Sequence, residues 1–140
     1  YDEAIMNLKL ALANAVVKKG KNSEKAYICL KMAWVIRGRL ETPSELAKFS
    51  KAEVVVFKQE ELSYIKQAYM GFTSAVQSET FPMCGMDEMT TIYLLADLAR
   101  RSGDRAQALK LLGEVIVSKN AQGRLKEKAR ELKDLIMESK

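Results

Sequence analysis

Apolar residues recur at three- and four-residue spacing along most of this chain of 140 residues. This spacing places apolar side chains on one face of a helix, whereas a half-buried strand alternates apolar and polar residues. Glycine and proline, seven and two in number, are sparse and coincide with breaks in the pattern. We therefore predict an all-α fold of antiparallel helices joined by short loops. The predicted helices span about 1–19, 24–39, 52–78, 87–102, 105–119 and 122–139.

The second predicted helix is apolar on most of its sides, as expected for a helix packed between neighbours, and we place it at the centre of the core. Ser23 is its predicted N-cap. Thr42 and Pro43 end it, and a short turn of helix follows. Residues 54–57 have strand propensity, but a lone short strand finds no partner elsewhere in the chain, so we predict that they are helical. Asp87 is the predicted cap of the fourth long helix.

Composition excludes several kinds of chemistry. The chain has no histidine, which removes imidazole general bases, Ser-His and Cys-His nucleophiles and histidine-containing zinc sites. Its two cysteines, Cys29 and Cys84, are too far apart in sequence for a metal knuckle, and glycine-rich phosphate loops are absent. We expect Cys29, in an apolar helix, to be buried. The sequence therefore predicts no enzyme activity, no cofactor and no metal.

The net charge of +5 is not concentrated on one face. The excess of Lys and Arg lies near the two ends, where acidic residues are interspersed and aromatic residues other than Tyr1 are missing. A nucleic-acid-binding face usually combines basic and aromatic side chains, so solvated helix surfaces are favoured over phosphate binding. No apolar run is long enough for a membrane span, and the start does not read as a signal peptide. We expect a cytoplasmic fragment of a longer protein, with no membrane partner.

Residues 89–120 have the spacing of a helix–turn–helix unit. Larger apolar residues surround Ala96 in the first helix and Ala108 in the second, and Gly103 and Asp104 form the turn between them. Two helix backbones approach closely only where small residues face each other. The pattern resembles the tetratricopeptide repeat, a helical hairpin that recurs along the chain.

Parts of this spacing recur elsewhere. Second-helix spacing is found at Ala4, Leu8 and Ala11 and at Ala68, Phe72 and Ala75, and first-helix spacing at Cys29, Met32, Ala33 and Ile36. The middle unit is longer than a standard repeat by about twenty residues, which indicates an insertion. The resemblance implies a right-handed array of tetratricopeptide-like hairpins, capped by the helix at 122–139. We predict that residues 1–140 form a single domain of this kind.

A second resemblance covers nearly the whole chain. Residues 25–37, with the sequence KAYICLKMAWVIR, and residues 86–104 are similar to the helical half of a bacterial family, the domain of unknown function number twenty-two twenty-five. Members of that family usually carry a cysteine-rich, zinc-ribbon-like region before the helices. That region is not in this sequence, so the resemblance implies no metal role here. It implies a bacterial helical protein without an assigned activity.

Two residues of the second helix have alternative interpretations. Trp34, the only tryptophan, is either a core residue or an aromatic anchor for a partner. Arg37 either caps the end of its helix or binds a carboxylate or ligand, because an arginine in so apolar a helix needs an anion. We predict a scaffold that presents a groove to a protein or peptide partner; the alternative is nucleic-acid binding through the basic terminal helices. The candidate groove residues are Asn7, Tyr27, Lys31, Trp34, Arg37, Tyr93, Asp97 and Arg100.

Overall fold

The structure is a computed structural model that describes residues 1–17 and 21–138. Within these ranges the chain contains helices and no strand, apart from an isolated bridge between Met83 and Met86. The all-α prediction is therefore confirmed. The helices are α1 (Asp2–Val17), α2 (Asn22–Leu40), α3 (Pro43–Leu46), α4 (Lys51–Ser78), α5 (Glu88–Arg101), α6 (Arg105–Val117) and α7 (Gly123–Glu138).

Most observed helix ends lie within about two residues of the ends predicted from capping residues and apolar spacing. Residues 54–57 are helical and lie within α4, as predicted from the lack of a partner for a lone short strand. The Asp87 side chain caps α5 by accepting a hydrogen bond of 2.8 Å from the backbone N–H of Thr90. Ser23 is not an N-cap: α2 begins at Asn22 with Lys21 as its N-cap, and Ser23 is buried inside the first turn. Residues 18, 19 and 139, predicted as helix ends, lie outside the described residues.

Backbone contacts divide the chain into two compact units, Tyr1–Ala75 and Val76–Lys140. In the first unit α2 is the central helix, as predicted, and eight of its residues are buried. It packs against α1. Helix α4 runs antiparallel to α2, since Cys29 bonds to Gln67 whereas Arg37, later in α2, bonds to Glu61, earlier in α4. The largest fully buried side chains of the first unit are Met32 and Ile36 of α2 and Phe72 of α4. Burial of such side chains is the main source of stability in this unit.

The end of α2 is fixed by an arginine enclosed by aromatic rings. Arg39 is 4% exposed, and its guanidinium lies 5.1 Å from the ring centroids of both Phe49 and Phe57 and 5.7 Å from that of Tyr1. Its Nη2 donates to the carboxylate of Asp2 at the start of α1. These contacts tie the beginning of α1 and the segment after α3 to the last turn of α2.

The second unit is built on the hairpin of α5 and α6, with α7 packed mainly against α6. Ala96 of α5 and Ala108 of α6 are both fully buried, which agrees with their predicted place where the two helices approach. Gly103 has a φ of +91° in the turn, a conformation that L side chains rarely adopt. Asp104 then caps α6 by accepting a hydrogen bond from the N–H of Gln107.

Candidate functional site

The outward side of α2 carries three of the candidate residues. Tyr27, Lys31 and Trp34 follow one another at i, i+4 and i+7, so they lie on one face of the helix, which we call the α2 outer face. Trp34 is 46% exposed. The Lys31 ammonium lies 4.6 Å from the centroid of the Tyr27 ring, a cation–π distance. The face thus combines an exposed indole with a lysine held over a tyrosine.

The exposure of Trp34 contradicts its interpretation as a core residue. Because α2 is apolar nearly all round, its sequence does not say which side is buried. The packing of α1 and α4 decides this, and it buries Met32, Ala33 and Ile36, while Trp34 is turned away from them. The interpretation as an anchor for a partner stays a prediction.

Arg37 lies at the edge of the α2 outer face and is already paired. Its Nε donates to the Glu61 carboxylate of α4 at 2.9 Å, and the two side chains are 21% and 17% exposed. This ion pair supplies the carboxylate that an arginine in an apolar helix was expected to need. Asn7 is exposed on α1, and none of the described contacts connects it with the α2 outer face.

The other three candidates lie on α5, in the second unit. Tyr93, Asp97 and Arg100 again follow at i, i+4 and i+7. Asp97 accepts hydrogen bonds from Arg100 (3.2 and 2.8 Å) and from Arg101 (3.0 Å), so one carboxylate holds two guanidinium groups. Burial raises the pKa of Tyr93, and the negative charge of Asp97 adds to that effect. We call these four residues the α5 cluster.

Sequence reasoning missed the part played by two arginines. Arg101 was not among the candidate residues, although its i, i+4 spacing from Asp97 is the signal for the observed pair. Arg39 was not among them either. Its aromatic neighbours Phe49 and Phe57 are ten and eighteen positions away, and no local spacing rule connects residues so far apart.

The thiol and carboxylate groups of the described residues do not form a metal centre, since no three of them come together with metal-binding geometry. Cys29 is 4% exposed, as predicted, and its Sγ donates a long hydrogen bond of 3.9 Å to Oε1 of Gln67. Burial raises the pKa of this thiol, which keeps it in the protonated, unreactive form at neutral pH. Over the part of the chain that the structure describes, no helix combines the length and the apolar character needed to span a bilayer.

Fold and surface together define an all-helical protein with an aromatic and basic face on one central helix and an ion-paired arginine cluster on another. The chain belongs to a family of uncharacterized proteins conserved in bacteria, DUF2225, whose model matches residues 1–136. The resemblance to this family is thereby confirmed. No curated protein and no solved structure gave a significant match.

Proposed function

We propose that the chain is a non-catalytic, tetratricopeptide-like module that binds a protein or peptide partner through the α2 outer face. The observation that carries the proposal is the exposure of Trp34, the only tryptophan, beside Tyr27 and Lys31. Tryptophan, tyrosine and arginine are enriched among the residues that dominate the binding energy of protein interfaces, and tryptophan and tyrosine bury much surface at low entropic cost. An indole with almost half of its surface in water is a strong candidate for such an anchor.

The α5 cluster supports the same class of function in the second unit. Asp97 fixes Arg100 and Arg101 in one arrangement, so little side-chain entropy remains to be lost when a partner binds them. One carboxylate balances only one of the two guanidinium charges. We propose that the α5 cluster is a second contact surface for protein partners.

The burial of four small residues supports the tetratricopeptide-like part of the proposal. Ala33 of α2 and Ala68 of α4 are fully buried, as are Ala96 of α5 and Ala108 of α6. Ala33 and Ala96 belong to predicted first-helix spacing, and Ala68 and Ala108 belong to predicted second-helix spacing. The stretch between Ile36 and Ala68, where we predict the insertion, contains α3 and the first part of α4.

We propose a bacterial cytoplasmic location. With only two cysteines, Cys29 and Cys84, the chain lacks the dense disulfide framework of small secreted domains, which agrees with a reducing compartment. A zinc-ribbon-like region upstream, as the family resemblance implies, stays a prediction for the longer protein.

Selection from a displayed peptide library tests the proposal, with the intrinsic fluorescence of Trp34 as the direct reading. Peptides that bind the α2 outer face should shift the emission of this single tryptophan to shorter wavelength, because binding removes water from the indole. Trp34→Ala should weaken binding by about 2 kcal/mol or more, the usual loss at an interface anchor. The matched control is Met6→Ala, which truncates a side chain that is 69% exposed on α1 of the same unit.

The proposal fails if the selected peptides bind the Trp34→Ala variant as tightly as the parent chain, or if none is selected.

The salt dependence of binding distinguishes the proposed peptide binding from the alternative of nucleic-acid binding. Binding to phosphates should weaken steeply between low and physiological salt, whereas peptide binding at an aromatic anchor should change modestly. A steep salt dependence with an oligonucleotide, unaffected by Trp34→Ala, would favour the rival.

A further inference from the structure

A groove on the first unit lies on a different side of α2 from the α2 outer face. Its volume is about 290 Å³, in the range that takes a few side chains rather than a whole drug-sized ligand. α1 and α4 form its walls, and the first two turns of α2 form its floor. The residues that matter most are Leu12, Val16, Lys25, Ala26, Met70 and Gly71. We call it the α1–α4 groove.

The floor of the groove owes its shape to two small residues. Gly71 approaches α2 so closely that a Cβ at this position would lie 2.8 Å from the Cβ of Ala26. Beside it, Gln67 is held by Cys29 and by Ser63. The floor is therefore fixed by packing and hydrogen bonds, and no large side chain fills the space above it.

The rim of the groove is apolar and uncovered. Met70 on α4 is 70% exposed and Val16 on α1 is 58% exposed, although both are large apolar residues. Single exposed apolar residues are ordinary, but two of them on opposite walls of one groove form a surface from which a partner can remove water. Such a groove, open along its length, suits the apolar face of a helix.

A single charge sets the polarity of the groove. Among the described residues that line the groove, Lys25 alone is charged; it is partly buried and forms no ion pair with a described carboxylate. It belongs to the first turns of α2, where the helix dipole adds further positive potential. A positive charge in otherwise uncharged apolar surroundings is complementary to a carboxylate.

We propose that the α1–α4 groove binds an amphipathic helix of another protein, which places apolar side chains between Val16 and Met70 and an acidic side chain on Lys25. The small floor lets the bound helix come close, and the charge fixes its register. This site goes beyond the α2 outer face, because it uses other residues on another side of the same helix.

The probe is a displayed library of helices of about 14 residues, or four turns, in which apolar, acidic and basic residues vary on one face. Selection on the whole chain should enrich helices with apolar residues at i, i+3 or i+4, and i+7, and one acidic residue beside them. Met70→Lys and Lys25→Glu should each weaken the selected helices about tenfold or more, because they introduce a charge into the apolar seam or reverse the complementary one. Val16→Lys is the second seam variant, should Met70→Lys alter folding.

Two controls distinguish this site from the proposed function. Leu10→Lys adds a charge to an exposed leucine on the opposite side of α1, and Trp34→Ala removes the anchor of the α2 outer face; both should leave binding unchanged. Lys25→Glu should restore binding when the acidic residue of the helix is exchanged for lysine. The proposal is overturned if no helix is enriched, if enriched helices are not acidic, or if Met70→Lys and Lys25→Glu do not affect them. Binders that depend on Trp34 alone, or a second copy of the chain occupying the groove, would also overturn it.

Discussion

Two helical glycines should respond in opposite directions to the same substitution. A Cβ added at Gly71 in α4 would lie 2.8 Å from the Cβ of Ala26, whereas one added at Gly113 in α6 would have no neighbour within 4 Å. Alanine is favoured over glycine inside a helix by about 1 kcal/mol. Gly113→Ala should therefore raise the free energy of unfolding by this amount or somewhat less. Gly71→Ala has the same gain in helix propensity, but the added methyl group must also move two packed helices apart, which lowers stability.

The magnitude at Gly71 follows from the overlap. Overpacking a filled interface typically costs about 1–3 kcal/mol, so the net effect of Gly71→Ala is a loss of up to about 2 kcal/mol. For a chain of this size, 1 kcal/mol corresponds to roughly 3 °C in Tm. The two variants should therefore differ in stability by about 1–3 kcal/mol, with Gly113→Ala the more stable one.

Urea unfolding measures both variants. Circular dichroism follows the loss of helix, and the emission of Trp34 follows the first unit alone, since it is the only tryptophan. Adding Ala26→Gly to Gly71→Ala removes the atom that is overlapped, so the double variant should be more stable than the sum of the two single losses predicts. If Gly71→Ala is as stable as Gly113→Ala, the close approach of α2 and α4 at this point is wrong.

Three further experiments probe other parts of the structure. Arg39→Ala should cost about 2–4 kcal/mol, because it removes a buried side chain packed against three rings, whereas Arg39→Met should cost much less; equal losses in urea unfolding would refute the packing argument. The Arg39 guanidinium lowers the pKa of Asp2, and the Thr90 N–H lowers that of Asp87, so both carboxylates stabilise the fold above their ordinary value of 3.8. Stability should fall as the pH drops below about 4, and a thermal melt of Asp87→Asn that kept the full acid dependence would contradict the assignment to that residue. A thiol reagent should modify Cys84 before Cys29, because Cys29 is almost fully buried and Cys84 only partly; rapid reaction of both thiols in the folded chain would show that Cys29 is accessible.

Helix existence and most helix ends were predictable because their causes are local. The i, i+3 and i+4 spacing of apolar residues and the capping by Asp87 depend only on residues within a few positions of each other. Ser23 shows the limit of such rules, since α2 begins one residue before it, at Asn22, with Lys21 as the N-cap.

The candidate site was only partly predictable. Tyr27, Lys31 and Trp34 were predicted only as members of a larger set of groove residues, although helical spacing alone fixes that they share one face of α2. Whether that face lies in the core or in water depends on where the neighbouring helices pack. Arg37 shows the same dependence, since its partner Glu61 comes from another helix, 24 positions further along the chain.

By itself, the sequence determined an all-helical chain without histidine chemistry, the approximate span of each helix and the bacterial family to which it belongs. Only the tertiary structure decided that Trp34 faces water, that Arg39 is enclosed by aromatic rings, and that Gly71 and Ala26 form the floor of a groove. The physical reason is the range of the interactions. Backbone hydrogen bonds and helical periodicity act within one or two turns, whereas burial and ion pairing depend on side chains that only the packing of separate helices brings together.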